Sequence, residues 1–275
     1  MTIPALVGVI HLRPLPGSPG YEGDLAQIAS SAARDAHALA DAGFEAIIVE
    51  NYGDAPFVPG TVEPITVAAM TRCALAVRVA APMVALGINV LRNDAQAALA
   101  VAAATGASFI RINVHVGARL TDQGVVQGMA HQTLRTRRAL GLDGVKLLCD
   151  VDVKHSAPLA PRPLQEEAHD LTLRGHADAV LVTGSGTGRS VALPDLDLVL
   201  RAVEAPVLVA SGVTEATLPQ VRRAHGVIVG SCLRQGGQAG LPVDPALAKS
   251  FADAFFAMKR AQAEGRFESA PPPAP

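Results

Sequence analysis

Polar and charged residues recur at alternate positions in two apolar stretches, and this spacing is the first sign of chemistry. In the segment 109–115, Arg111, Asn113 and His115 share one parity. Alternate side chains of a strand point to opposite faces, so these three should share the face away from the isoleucines between them. The segment 145–154 repeats the pattern, and its polar set is Lys146, Asp150, Asp152 and Lys154.

Charged side chains facing the interior of a fold cost several kcal/mol unless they are paired. Two explanations remain open for the deeper residues Arg111, Lys146 and Asp150. They either neutralise one another or serve a ligand. The residues at the predicted strand ends favour function, because a strand end opens onto solvent.

Four residues have the side chains needed for proton transfer. Asp152 and Glu50 are the candidates for general acid–base catalysis, and His115 and Lys154 are expected to assist them. Lysine is scarce in this chain, and a lysine amine can be tuned as a base in a way that arginine cannot. The predicted substrate-binding residues are Asn51, Asp54, Asn89, Arg111, Asn113, Asp150 and His155.

Three loops in the C-terminal half are rich in small residues and predict a phosphate site. They follow the sixth, seventh and eighth of eight short apolar runs along the chain. The loop after the seventh run is expected to lead directly into a helix. Glycine lets a backbone N–H approach an anion closely, and barrel enzymes often hold phosphate in the last two of these loops. The alternative is that the glycines only make tight turns. The predicted phosphate-binding residues are Gly184, Ser185, Gly212, Gly230 and Ser231.

No metal ligand set is evident from local spacing. A divalent cation such as magnesium is one option, because four carboxylates fall near predicted strand ends. These are Glu50, Asp54, Asp150 and Asp152.

Eight short apolar runs are available to position these residues, and Ala-rich helical stretches such as Leu25–Ala42 and Ala95–Thr105 separate them. Turns leading into the runs are short, whereas loops leaving them are long and polar. This asymmetry predicts an α/β fold, a single-domain (β/α)8 TIM barrel working at the C-terminal rim of its strands. An open doubly wound sheet is the alternative. The eight runs are Ala5–Ile10, Ala46–Val49, Met83–Ile88, Phe109–Val114, Val145–Val151, Ala179–Val182, Pro206–Ala210 and Gly226–Val229.

Composition narrows the classes of binding partner and the cellular location to be expected. The net charge is −2, which argues against a nucleic acid polymer as partner. The three cysteines form no CxxC pair, so we expect reduced thiols and a cytoplasmic location. No apolar stretch approaches the roughly 18 residues of a membrane span. We expect the barrel to occupy residues 1–265 and the Pro-rich tail 266–275 to be disordered.

Seven segments of the chain carry distinctive motifs, and they are 47–57, 87–94, 110–115, 121–124, 150–156, 182–185 and 226–231. Together they resemble the BtpA/SgcQ family along nearly the whole chain, and Gly186 departs from the alanine expected there. The resemblance implies a barrel of the ribulose-phosphate-binding type. Family members are linked to photosystem I biogenesis and to sugar-utilisation genes, and no settled reaction follows from that.

The sequence is therefore compatible with two functions. The first is an enzyme acting on a small phosphorylated sugar or nucleotide by glycosidic cleavage, isomerisation or lyase chemistry. The second is a non-catalytic assembly or stability factor for a protein complex such as photosystem I, which would require an exposed apolar patch. The sequence leaves the oligomeric state open, with a homo-oligomer as one option.

Overall fold

The computed structural model describes residues 2–184 and 190–264, and these residues form a single (β/α)8 barrel domain. The strands within the described residues are β1 Leu6–His11, β2 Ala46–Glu50, β3 Ala85–Asn89, β4 Phe109–Ile112, β5 Ala118–Thr121, β6 Gly124–Gln127, β7 Lys146–Asp152, β8 Ser156–Pro158, β9 Ala179–Val182, β10 Val207–Val209 and β11 Gly226–Val229. Eight of them are parallel and close the barrel in the order β1-β2-β3-β4-β7-β9-β10-β11, with β11 pairing β1.

Helices cover the outside of the barrel. They are α1 Leu25–Ala42, α2 Pro64–Ala80, α3 Ala95–Thr105, α4 Ala130–Ala139, α5 Leu164–His169, α6 Leu193–Ala202 and α7 Pro245–Ala263. A π-helical turn, Asp170–Arg174, extends α5. The predicted bounds of α1 and α3 are confirmed, because both helices have strong local end signals. Asp24 and Asp94 each accept a hydrogen bond from the backbone three residues on, and a left-handed glycine, Gly43 or Gly106, follows each helix.

The eight predicted strands all exist; the sixth, Ala179–Val182, and the eighth, Gly226–Val229, have the predicted bounds, and the other six have shifted ends. The third begins at Ala85 instead of Met83, whose side chain is exposed, and the fourth ends at Ile112 instead of Val114. The prediction of a helix directly after the seventh apolar run, which is strand β10, is wrong. A short 3₁₀ helix, Leu218–Val221, occupies that connection, so the seventh loop has no α-helix dipole directed at a ligand.

Two apolar layers surround the strands. The outer layer lies between strands and helices, and the inner layer fills the barrel. In the inner layer, the ring of Phe109 occupies the space beside Gly87, where a Cβ atom would lie 2.2 Å from the ring. The inner layer comprises Val7, Val9, Ala46, Ile48, Phe109, Leu148, Ala179, Leu181, Leu208, Ala210 and Ile228.

The loops after β4 and β7 contain structure that the sequence analysis treated as irregular. Strands β6, β5 and β8 form a three-stranded antiparallel sheet outside the barrel, in that order. This small sheet joins the two loops to each other. Each loop is therefore fixed by backbone hydrogen bonds to the other, and not only by its own turn residues.

Two further expectations can be compared with the described residues. Among them, no helix combines the length and apolar character needed to cross a membrane. Cys73, Cys149 and Cys232 are free thiols, as the sequence predicted.

Candidate functional site

A cavity opens at the C-terminal rim of the barrel and has two lobes that share Glu50, Arg111 and Lys154. The inner lobe is small, about 40 Å³, and is lined further by His11 and by the loops after β10 and β11. The outer lobe is about 410 Å³. Its other polar and aromatic lining residues are Tyr52, Phe57, Arg92, Asn113, Asp122 and His155.

The floor between the lobes is a buried polar network. Arg111 forms an ion pair with Asp150, with Nη2 3.1 Å from Oδ1. Asn113 donates to the same carboxylate over 2.7 Å, and Asn89 donates to the backbone oxygen of Arg111. One of the deeper pairings considered from the sequence is thus present. Lys146 does not join it, because it pairs with Asp178.

Glu50 and Lys154 face this floor without fixed partners. Glu50 is buried at the end of β2, and Lys154 is half-buried in the loop after β7. Neither side chain forms a hydrogen bond or ion pair within the described part of the chain. Burial lowers the pKa of the Lys154 amine, and the charge of Glu50 opposes that shift. A buried carboxylate beside an amine of lowered pKa is suited to proton transfer.

His11 completes the site and was not among the predicted residues. It ends β1 in register with Glu50, and Glu50 is in register with Asn89. Its ring stacks on Tyr52, with 4.4 Å between centroids. The backbone N–H of Gly240 donates to His11 Nδ1 over 3.2 Å, so in the neutral ring the proton lies on Nε2.

The electrostatics of the cavity keep His11 neutral. Burial lowers the pKa of His11 well below its usual value, and the positive charges of Arg234, Lys154 and Arg111 add to that shift. The ring lies against the loop after β11, where a Cβ atom at Gly230 would lie 3.3 Å from His11 Nε2. His11 is therefore placed to donate a hydrogen bond from Nε2 into the inner lobe.

The inner lobe contains three of the five predicted phosphate-binding residues, Gly212, Gly230 and Ser231. Gly212 has a φ of +65°, a conformation that favours glycine. Ser185 lies outside the described residues, and Gly184 directly precedes that gap without lining the lobe.

Arg234 holds the inner lobe together. Its guanidinium is buried and donates to the carbonyl oxygens of Val9, Gly230 and Leu241. It forms no ion pair with any described carboxylate. Burial lowers the pKa of the guanidinium, and the more distant charges of Asp35 and Glu50 only partly oppose that shift.

The structure does not bring Asp152 into either lobe. A bulge between Asp150 and Asp152 interrupts the pairing of β7 with β9, so the alternation of faces ends at Asp150. The half-exposed carboxylate of Asp152 instead lies 3.0 Å from Arg119. Arg119 also pairs with Glu167, and burial raises the pKa of Asp152.

His115, Asn51 and Asp54 also lie away from the lobes. Because β4 ends at Ile112, His115 does not continue its inward face, and its buried ring bonds the backbone oxygen of Gly175 over 2.8 Å. Asn51 and Asp54 bond each other, and they fix backbone at Leu91 and Leu15. Their contacts position loops around the cavity.

The carboxylates considered for magnesium do not come together. Asp150 is paired with Arg111, Asp152 with Arg119, and Asp54 with Asn51. Across residues 2–184 and 190–264, no group of three or more His, Cys, Asp or Glu residues is arranged to hold a metal ion.

Three residues of the site escaped sequence analysis: His11, Arg92 and Arg234. His11 had a usable signal, since it shares the inward parity of Val7 and Val9. The arginines had none, because they follow strands in irregular segments and resemble the chain's many surface arginines.

Comparison with known proteins places this geometry in context. A model of the BtpA family matches residues 2–256. A Synechocystis protein named photosystem I biogenesis protein BtpA is 44% identical over 254 residues, which is 91% of this chain and 87% of that protein.

Solved structures share the fold at low sequence identity. Thiamine phosphate pyrophosphorylase from Pyrococcus furiosus superposes with a TM-score of 0.58 at 12% identity, covering 92% of this chain and 96% of the other. (S)-3-O-geranylgeranylglyceryl phosphate synthase from Thermoplasma acidophilum, in complex with its substrate sn-glycerol-1-phosphate, has a TM-score of 0.55 at 14% identity, covering 92% and 93%. These likenesses establish the barrel.

Proposed function

The chain belongs to the BtpA family, and we propose that it is an enzyme acting on a small phosphorylated sugar or nucleotide, whose phosphate binds in the inner lobe. Two barrels of the same fold support a phosphorylated substrate, because their names include thiamine phosphate and glyceryl phosphate chemistry.

The observation that carries the proposal is the unpaired positive charge around the inner lobe. Arg234 is buried behind Gly230 and Lys154 borders Gly212 and Ser231, yet neither forms an ion pair with a described carboxylate. A buried cation that no direct ion pair neutralises is costly, and a bound phosphate would remove much of that cost. Small residues and the Nε2–H of His11 leave room and a donor for its oxygens.

A phosphate fixed in the inner lobe would hold the rest of the substrate over the floor. Positioning of this kind supplies much of the rate enhancement in barrel enzymes. Glu50 and Lys154 line both lobes and could act there as an acid–base pair, and Asn89, Asn113 and Arg111 belong to the polar floor between the lobes. Glycosidic cleavage, isomerisation and lyase chemistry each need such a pair. Asp152 and His115 lie outside both lobes, so the proposal does not depend on them.

The proposal is tested by thermal unfolding with inorganic phosphate, ribose 5-phosphate and a nucleoside monophosphate. A compound that binds the folded state raises the melting temperature. Gly212→Asp should abolish the rise by placing a carboxylate in the lobe. Gly141→Asp is a matched control, since Gly141 has a φ of +67° against +65° for Gly212 but lies in the turn before β7, at the other end of the barrel.

A rise with at least one phosphate compound, lost in Gly212→Asp and kept in Gly141→Asp, supports the proposal. The absence of any rise in the unmodified protein contradicts it. An equal loss in both variants shows backbone strain and not anion binding as the cause, which also contradicts the assignment of the loop.

A second function, as an assembly factor, has one structural observation in its favour. The outer face of α2 carries an exposed stripe of Ile65, Leu75 and Val79, which continues to Met83 and is interrupted by the exposed Arg72. A relative at 44% identity is named as a biogenesis protein. Val79→Glu with Met83→Glu should disrupt a partner contact at this stripe while leaving phosphate binding unchanged.

A further inference from the structure

Arg92 is a buried cation in the outer lobe that the phosphate site leaves unexplained. The residue is only 4% exposed, and it lines that lobe with Tyr52 and Phe57. Nη2 donates to the backbone oxygen of Lys154 over 2.7 Å. Within the described part of the chain this is its one hydrogen bond through the side chain, and no carboxylate forms an ion pair with it.

The unused donors of Arg92 are not sealed from solvent. A guanidinium carries five N–H groups, and one hydrogen bond leaves most of them without a partner. Nε and Nη1 are absent from the polar atoms that are both unpartnered and sealed from solvent. They are therefore accessible from the cavity, and Arg92 presents part of its planar fork to the outer lobe.

The carboxylates around Arg92 do not neutralise it directly. Glu50, Asp122 and Asp150 act on it from a distance, while Arg111 opposes them, and burial lowers the pKa of the guanidinium. Asp150 is already paired with Arg111, and Asp122 accepts from Gln123. The apolar and aromatic wall formed by Tyr52, Phe57 and Leu91 lowers the local dielectric, which strengthens any pair that Arg92 forms.

We infer that the outer lobe is a second anion subsite centred on Arg92, so that the substrate carries a phosphate at one end and a carboxylate or a second phosphate at the other. This inference rests on the proposed function for the inner lobe. Both lobes border Glu50, Arg111 and Lys154, so a ligand bound at both ends would lie across the acid–base pair. Either anion offers two oxygens in the plane that a guanidinium fork prefers.

The test compares compounds with one and two anionic groups by isothermal titration calorimetry. The probes are ribose 5-phosphate with one phosphate, ribulose 1,5-bisphosphate with two, and 6-phosphogluconate with a phosphate and a carboxylate. The unmodified protein should bind at least one two-anion compound on the order of tenfold more tightly than ribose 5-phosphate, as one charge-assisted contact provides. The tighter of the two identifies the second anion.

Variants separate a subsite from a general charge effect. Arg92→Gln should remove the tenfold preference and change ribose 5-phosphate affinity by no more than about twofold, and Arg92→Lys should restore part of the preference. Arg135→Gln is the control, since it removes the same charge from an exposed position on α4. It should leave the affinities for all three compounds unchanged.

The outcomes distinguish the inference from its premise. Equal affinity for one- and two-anion compounds in the unmodified protein overturns the second subsite and leaves the phosphate site intact. A loss in Arg92→Gln that is equal for all compounds also overturns it, because the residue would then act only through its field. If no phosphate compound binds the unmodified protein, both the proposed function and this inference fail.

Discussion

The guanidinium of Arg234 donates a hydrogen bond to the carbonyl oxygen of Val9 over 2.8 Å, which joins the loop after the last barrel strand to the first strand. The same side chain bonds Gly230 and Leu241. One residue thus closes the barrel at the rim, shapes the glycine loop of the inner lobe, and places a positive charge behind it.

Arg234→Met should weaken both the fold and the inner lobe. It removes the three hydrogen bonds of a buried guanidinium, so we expect the free energy of unfolding to fall by about 2–4 kcal/mol. Urea denaturation measures this loss, with Arg135→Met on the exposed face of α4 as the control. Phosphate-induced stabilisation should fall as well. An unchanged urea midpoint would show that the three bonds are not required.

His11 should make the protein less stable in mild acid. Its pKa is lowered in the folded state, so below the usual value of about 6.5 the unfolded chain binds more protons than the folded one. The stability that neutral His11 contributes is complete above pH ~6.5, and it declines as the pH falls toward the folded-state pKa. His11→Gln should therefore flatten the loss of stability below pH ~6.5, measured as urea midpoints across that range.

The pH profile of the urea midpoint for His11→Gln should be compared with that of the unmodified protein, because neither profile is expected to be flat. His115 also has a lowered pKa and keeps a pH dependence of its own in both. His115→Gln in the His11→Gln background should remove the part of the pH dependence that His115 contributes. Identical pH profiles for the unmodified protein and His11→Gln would contradict a neutral His11 in the folded state.

Glu50→Gln should lower the pKa of the Lys154 amine further. Burial already lowers it, and Glu50 is the foremost charge that opposes the shift. The change is measurable without a substrate, by following the ¹³C resonance of reductively methylated Lys154 against pH. Asp253→Asn is the control, because Asp253 pairs with Lys249 on the surface of α7. A rise, or no change, in the Lys154 pKa would show that the charge of Glu50 does not stabilise the protonated amine.

Gly87→Ala should destabilise the inside of the barrel. The new methyl group would overlap the ring of Phe109, and overpacking of this kind costs about 1–3 kcal/mol. The cost should be smaller in a Phe109→Leu background, which a double-mutant cycle of unfolding free energies reveals. Gly144→Ala is the control, since no atom lies within 4 Å of its added Cβ. Equal costs in both backgrounds would exclude the contact as the cause.

The sequence by itself determined the barrel, its eight strands and the inward face of its floor. These features depend on local periodicity and on turns near in sequence, so α1 and α3 were predicted to the residue and Arg111, Asn113 and Asp150 to the correct face. The inner-lobe positions of Gly212, Gly230 and Ser231 also followed, because strand order fixes which loops meet.

Tertiary structure alone decided where the alternation stops and which charges remain unpaired. The bulge before Asp152 and the early end of β4 depend on how neighbouring strands pair. Strict alternation of faces therefore placed Asp152 and His115 on the inward face, which was wrong. The partners of Arg92 and Arg234 come from segments distant in the chain, such as Lys154 and Val9. A local pattern cannot encode such contacts, because they form only when the barrel closes.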